Sequence, residues 1–75
     1  MNEKIVAILK SLRPEFDFTD GQDFIEEGML DSFDIVSLVD ALEENFGIVI
    51  LGEEVLPENF NSIESISRLV ESHKK

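Results

Sequence analysis

The chain has 75 residues, 43% of them apolar and 31% charged, a balance that folds and a length that allows one domain. Seventeen acidic residues against six basic ones give a net charge of -11, which excludes nucleic acid and anionic membrane as partners, because phosphate binding needs a basic surface. With no cysteine, neither a disulfide nor a thiolate metal site can reinforce the fold.

The opening run MNEKIVAILKSLRPEF is broken by Lys4 and Lys10 and does not read as a secretion signal. No run of about 18 apolar residues is present to insert into a membrane, so the expected compartment is the cytoplasm. The first helix is predicted over residues 3–12, with Asn2 as its cap. Ile5, Ile8, Leu9 and Leu12 form one apolar stripe at helical spacing, and Pro14 ends it by forcing the residue before it out of helical geometry. Residues 14–30 follow as a long connection with a turn at Asp20-Gly21. Its Phe16, Phe18, Phe24 and Ile25 are expected to pack back over the helices.

The second helix has the clearest start signal. Asp31 caps it, Asp34 three residues on completes a variant capping box, and Leu30 with Ile35 forms a hydrophobic staple. It is predicted to run to Phe46, with Gly47 as a left-handed stop. Ile48-Val49-Ile50-Leu51 looks locally like a strand. It has no second run to pair with, so a buried, extended connection is expected. Residues 57–60 form a short turn of helix with proline first. The last helix starts at Asn61 or Ser62 and buries Ile63, Ile66, Leu69 and Val70, with His73, Lys74 and Lys75 at its negative end. The expected fold is all-α: a small four-helix bundle, three main helices and one short one, with a long loop between the first two.

The basic residues are Lys4, Lys10, Arg13, Arg68, Lys74 and Lys75. None lies in residues 14–67, a stretch that holds every acidic residue except Glu3 and Glu71. Such a field steers the domain toward basic proteins; a solvated surface that keeps a small protein soluble is the plainer reading. Catalytic inventory is thin. His73, the only histidine, is expected to be solvated near a frayed end, where no nucleophile could be held against it. The acidic stretch DFTDGQDFIEE invites a calcium-loop reading. Placing Gly21 at the loop's glycine puts Phe16 and Phe18 where the first two carboxylates belong, so no metal site is assigned.

On the second helix, stepping about 100° per residue, Ile35, Leu38, Val39, Leu42 and Phe46 fall on one face and form the core stripe. The opposite face carries Ser32, Phe33, Val36, Ser37, Asp40, Glu43 and Glu44. Phe33 and Val36 ringed by carboxylates look like a docking surface, unless the long loop folds over them.

Glu27-Gly28-Met29-Leu30-Asp31-Ser32-Phe33-Asp34, followed by the apolar helix ending Leu42-Glu43-Glu44-Asn45-Phe46-Gly47, resembles an acyl carrier protein. The resemblance extends to length, helix order, acidity and the long first loop. The family's signature is a D-S-[LMF] step opening the second helix. By resemblance, Ser32 carries 4'-phosphopantetheine through a phosphodiester, and the chain is a single carrier domain over residues 1–75. It is then no enzyme but a monomeric carrier that presents thioesters to others. The implied partners are a phosphopantetheinyl transferase, an acyl- or aminoacyl-adenylating ligase, and acyl-transferring enzymes with basic docking patches. They would read Asp31, Phe33, Asp34, Val36, Asp40, Glu43 and Glu44.

Departures from the pattern narrow the type. Fatty-acid carriers usually have leucine after the serine, where this chain has Phe33. They often have glutamate at the position of Ser37 and methionine at that of Asp40. The run Glu26-Glu27-Gly28-Met29-Leu30-Asp31-Ser32-Phe33 is more similar to stand-alone carriers of the D-alanyl type, which a separate ligase charges. The alternatives are a carrier of fatty-acid synthesis and, from another class, an acidic adaptor with no prosthetic group.

Overall fold

Four α-helices make up most of the regular structure of the computed structural model, which describes residues 2–19 and 21–74. Helix α1 (Asn2–Leu12) buries Ile5, Ile8 and Leu9 along the predicted stripe. It begins at Asn2 itself, so the residue expected as its cap lies inside the first turn. Arg13 extends the helical bonding by one N–H, donated to the Leu9 carbonyl at 2.9 Å. Pro14 has no N–H to continue the ladder, and the chain turns away.

The connection from α1 to α2 is ordered by aromatic packing. Phe18 and Phe24 are buried, and Phe16 packs against the same cluster. Their rings meet edge to face, with centroids 6.4 Å apart for Phe16–Phe18 and 5.0 Å for Phe18–Phe24, the arrangement that ring quadrupoles favour. Backbone bonds secure the second half of the loop. Phe24 donates to the Asn61 carbonyl at 2.7 Å, and its own carbonyl accepts from Met29 at 2.8 Å and Leu30 at 3.2 Å. Asp23 Oδ1 accepts from the N–H groups of Ile25 and Glu26. Gly28 then turns the chain at φ 74°, a left-handed value that costs glycine little. The side chains of Phe16 and Phe18, at the first two ligand positions of a calcium loop, are thus part of the core. Asp20 of the expected turn, like Lys75, lies outside the described residues.

Helix α2 (Ser32–Phe46) has the predicted bounds and ends at Gly47 with φ 65°. Leu38 and Leu42 are buried, and Ile35, Val39 and Phe46 pack partly against the core. In the next segment the structure corrects the expectation. Ile48 and Ile50 are buried, but Val49 and Leu51 are exposed. An extended backbone sends successive side chains to opposite sides, and only one side of this segment faces the core. A 3₁₀ turn over Gly52–Glu54, not anticipated, leads to helix α3 (Pro57–Phe60), which has proline at its start and a buried Phe60. Helix α4 (Ile63–His73) is capped by Ser62, whose Oγ accepts from Ser65 N–H at 3.0 Å, and it buries Ile63, Ile66, Leu69 and Val70.

Helix α1 packs against both α2 and α4, and α3 packs on α4. One continuous core runs between them, and no strand occurs among the described residues. The fold is the expected all-α bundle. His73 is corrected: it is half-buried, and its Nε2 donates to Glu54 Oε1 at 2.8 Å and Oε2 at 3.0 Å. The chain reverses between α2 and α4, which brings the 3₁₀ turn against the last turn of α4. Spacing along α4 alone could not show that encounter.

Candidate functional site

The geometry of the site starts from the first turn of α2. A helix leaves its first N–H groups without internal partners. Here Asp31, with extended backbone, accepts the Asp34 N–H on Oδ1 at 3.0 Å, and Asp34 Oδ2 accepts the Asp31 N–H at 3.0 Å. The reciprocal pair is a capping box with aspartate where glutamate is usual. The Asp31 carbonyl takes the Ile35 N–H at 3.0 Å. Ser32, the first residue of the helix, is exposed, on a backbone fixed from both sides.

The cap has a counter-ion from outside the helix. Arg13, just past α1, donates from Nε to Asp34 Oδ2 at 2.9 Å. One of its terminal nitrogens stands 2.8 Å from the same oxygen and 3.3 Å from Asp31 Oδ2, while the other reaches Glu15 at 3.2 Å. Burial raises the Asp34 carboxyl, but hydrogen bonds from Arg13 and the Asp31 N–H, with the Arg13 charge, outweigh it. The group is held below the ordinary aspartate value. The Asp34 side chain is only 14% exposed, against 60% for Asp31. The two carboxylates therefore differ: Asp34 is turned inward, and Asp31 keeps an open flank.

Beside Ser32 lies a cleft of about 350 Å³, lined by Ile25, Leu30, Asp31, Ser32, Ile35, Val36, Val55, Leu56 and Pro57. Its walls are almost wholly apolar, and Ser32, one of its lining residues, is exposed. The outward face of α2 is uncovered: Phe33 is 84% exposed and Val36 59%, so the loop does not fold over them. Asp40 and Glu44 are exposed on the same helix. Glu43 is half-buried, and its Oε2 accepts the Ile50 N–H at 2.8 Å, pinning the connection after α2. The seven residues singled out for docking thus lie on or beside one helix, but Asp31, Asp34 and Glu43 also have internal partners.

Reading the sequence alone missed four contributors. Arg13 was counted only as a charge, though its place as the last cation before the acidic stretch marked it as a counter-ion for whatever acid folds back to it. Val55 and Leu56 complete the cleft from a segment with no periodic signal. Glu54 anchors that segment: its Oε1 accepts from Leu51 N–H at 2.9 Å, and its carboxylate receives His73. The Leu51 bond lowers the Glu54 carboxyl, burial works against it, and His73 lowers it again, for a net value below the ordinary range.

The family model for the phosphopantetheine attachment site matches residues 3–70. The chain belongs to this family. No solved structure matches it. Members carry a covalently attached 4'-phosphopantetheine, and they interact with phosphopantetheinyl transferases and with partner enzymes. The residues of this carrier fit such a group. An exposed hydroxyl stands at the positive end of a helix, which favours the charge of a phosphodiester, and Arg13 offsets the two nearest carboxylates. The apolar walls of Ile35, Val36, Val55 and Leu56 suit an uncharged chain leading away from the serine. When bound, the arm supplies the thiol that the sequence lacks. Among the described residues no helix is long and apolar enough to cross a membrane.

Proposed function

We propose that Ser32 is the attachment residue, and that the chain is one carrier domain holding acyl or aminoacyl groups as thioesters for partner enzymes. The observation that carries this reading is the exposed serine on a doubly braced helix start, with an apolar cleft opening beside it. Among the described residues no side chain hydrogen-bonds the Ser32 hydroxyl, so a docked transferase has to activate it. In that transfer the Ser32 oxygen bonds to phosphorus and the P–O–P bridge of coenzyme A breaks. The adenosine bisphosphate half leaves with the electron pair, and the hydroxyl proton passes to a base of the transferase.

Partner enzymes, among them an adenylating ligase, dock on α2 through Phe33 and Val36. Asp31, Asp40 and Glu44 provide charge for basic patches, with Asp34 and Glu43 behind them. Contacts of this kind are small, charge-steered and short-lived. The aminoacyl reading is supported by the likeness of the residues around Ser32 to D-alanyl carriers. Coenzyme A, Mg²⁺ and a phosphopantetheinyl transferase provide the test. The expected product is one titratable thiol per chain on a protein that has none of its own. Absence of any thiol across several transferases would favour an acidic adaptor without a prosthetic group.

A further inference from the structure

The Arg13 side chain crosses from the end of α1 to the start of α2 and meets both members of the capping box. Its reach has a sequence cause. Pro14 ends α1 just beyond it, so Arg13 leaves the helix at the point where α1 passes the first turn of α2. The contacts are unequal. Asp34 Oδ2 receives two guanidinium nitrogens, at 2.8 and 2.9 Å, whereas Asp31 receives one at 3.3 Å. Nε makes the hydrogen bond and one terminal nitrogen adds a close ion-pair contact to the same oxygen, so the planar guanidinium holds that oxygen at two points, which a lysine ammonium reproduces only in part. The gripped oxygen is the one that accepts the Asp31 N–H, so the guanidinium, the Asp34 carboxylate and the backbone before Ser32 form one chain of contacts.

We propose that Arg13 is a positioning residue for the modification of Ser32. Through Asp34 it holds the Leu30–Asp31 peptide, whose N–H that carboxylate accepts, and so steadies the backbone entering Ser32; it leaves the open side of Asp31 to an incoming basic enzyme. This inference rests on Ser32 as the attachment residue. The charged groups facing Asp34 are Asp31, across the cap, and Arg13, which also faces Glu15. Removing Arg13 therefore leaves two acids side by side at the helix start with no counter-ion. They repel, the box loosens, and the serine samples orientations that a docked transferase cannot use.

The experiment compares transfer of phosphopantetheine from coenzyme A to wild type, Arg13→Gln, Arg13→Lys, Asp34→Asn and the Arg13→Gln/Asp34→Asn pair. Circular dichroism and melting show which variants are folded at the assay temperature. The expected result for Arg13→Gln is a fall in kcat of about threefold or more, with a smaller change in KM. Arg13→Lys recovers part of the loss and covers the case in which the glutamine variant does not fold. In the Asp34→Asn background the added Arg13→Gln change has little further effect, because the grip is already gone. A folded Arg13→Gln variant with wild-type kcat and KM would overturn the proposal. So would full, independent losses that multiply in the double variant. An unmodified wild type would instead sink the assignment of Ser32, so the two failures are distinguishable.

Discussion

Asp31 and Ser32 are neighbours with opposite tasks: one closes the helix and the other stands open to solvent. Asp31 was legible in the sequence because a capping box is a local pattern within four residues, and local patterns survive folding. The inward turn of Asp34 was not legible, because the partner that turns it is Arg13, 21 residues away in sequence. Exposure of Phe33 and Val36 was likewise a question of where the loop runs, and the loop's three phenylalanines take it into the core instead. These exposed side chains set two expectations for any partner enzyme that docks on α2. Val36→Ala should weaken binding by ~1 kcal/mol, roughly fivefold in Kd, through lost apolar contact. Asp40→Lys should slow association and flatten its dependence on salt, since Asp40 is exposed and has no partner to lose among the described residues. Stopped-flow association at several ionic strengths checks both, with circular dichroism verifying that α2 is intact.

At the scale of elements, helix starts and stops were the most readable features. Asp31, Gly47, Pro57 and Ser62 each act through their own backbone neighbourhood. Gly47 sits at φ 65°, where a side chain is strained, so Gly47→Ala should cost about 1 kcal/mol. In a domain this small that lowers Tm by about 4–8 °C, measurable by thermal melting. What the sequence hid was the 3₁₀ turn and its tie to α4. Glu54 and His73 are 19 residues apart, and neither residue type at its position signals the other. Two carboxylates set a pH dependence: Glu54, held chiefly by the Leu51 N–H and further by His73, and Asp34, held against burial by Arg13 and the Asp31 N–H. Glu54 and Asp34 both have folded-state values below their ordinary ones. A depressed carboxyl contributes stability that is complete above the unfolded value, about 4, and is lost as pH falls through the folded value. Melting of wild type should therefore weaken below about pH 4. Asp34→Asn and Glu54→Gln should each flatten that decline while lowering stability at pH 7. A decline of unchanged steepness in both variants would assign the acid sensitivity to other groups.

Across the whole molecule the sequence shows an acidic stretch with no cation inside it, and the structure shows where the outer cations go. Lys10 pairs with Asp17 at 2.9 Å, Arg13 spans Glu15, Asp31 and Asp34, and Lys4 and Lys74 lie over the Phe46 ring at 5.5 and 5.7 Å from its centroid. Both ends of the chain thus fold back onto the acidic middle. They offset only part of its charge, and the net value of -11 remains. Added NaCl should raise Tm, and Mg²⁺ or Ca²⁺ should raise it more per mole, because a screening length of about 10 Å at 0.1 M begins to separate the surface carboxylates. A Tm flat from low to physiological salt would mean that the pairs already balance the repulsion.

The claim on which the rest depends is that the arm is attached at Ser32, and substitution at that one residue tests it most directly. Ser32 is exposed, and the cap is made by Asp31, so Ser32→Ala should keep helical content and melt close to wild type. Intact-mass spectrometry after incubation with coenzyme A, Mg²⁺ and transferase should then show one phosphopantetheinyl group on wild type and none on Ser32→Ala. A folded Ser32→Ala variant that gains the group would contradict the account and move the site to another residue.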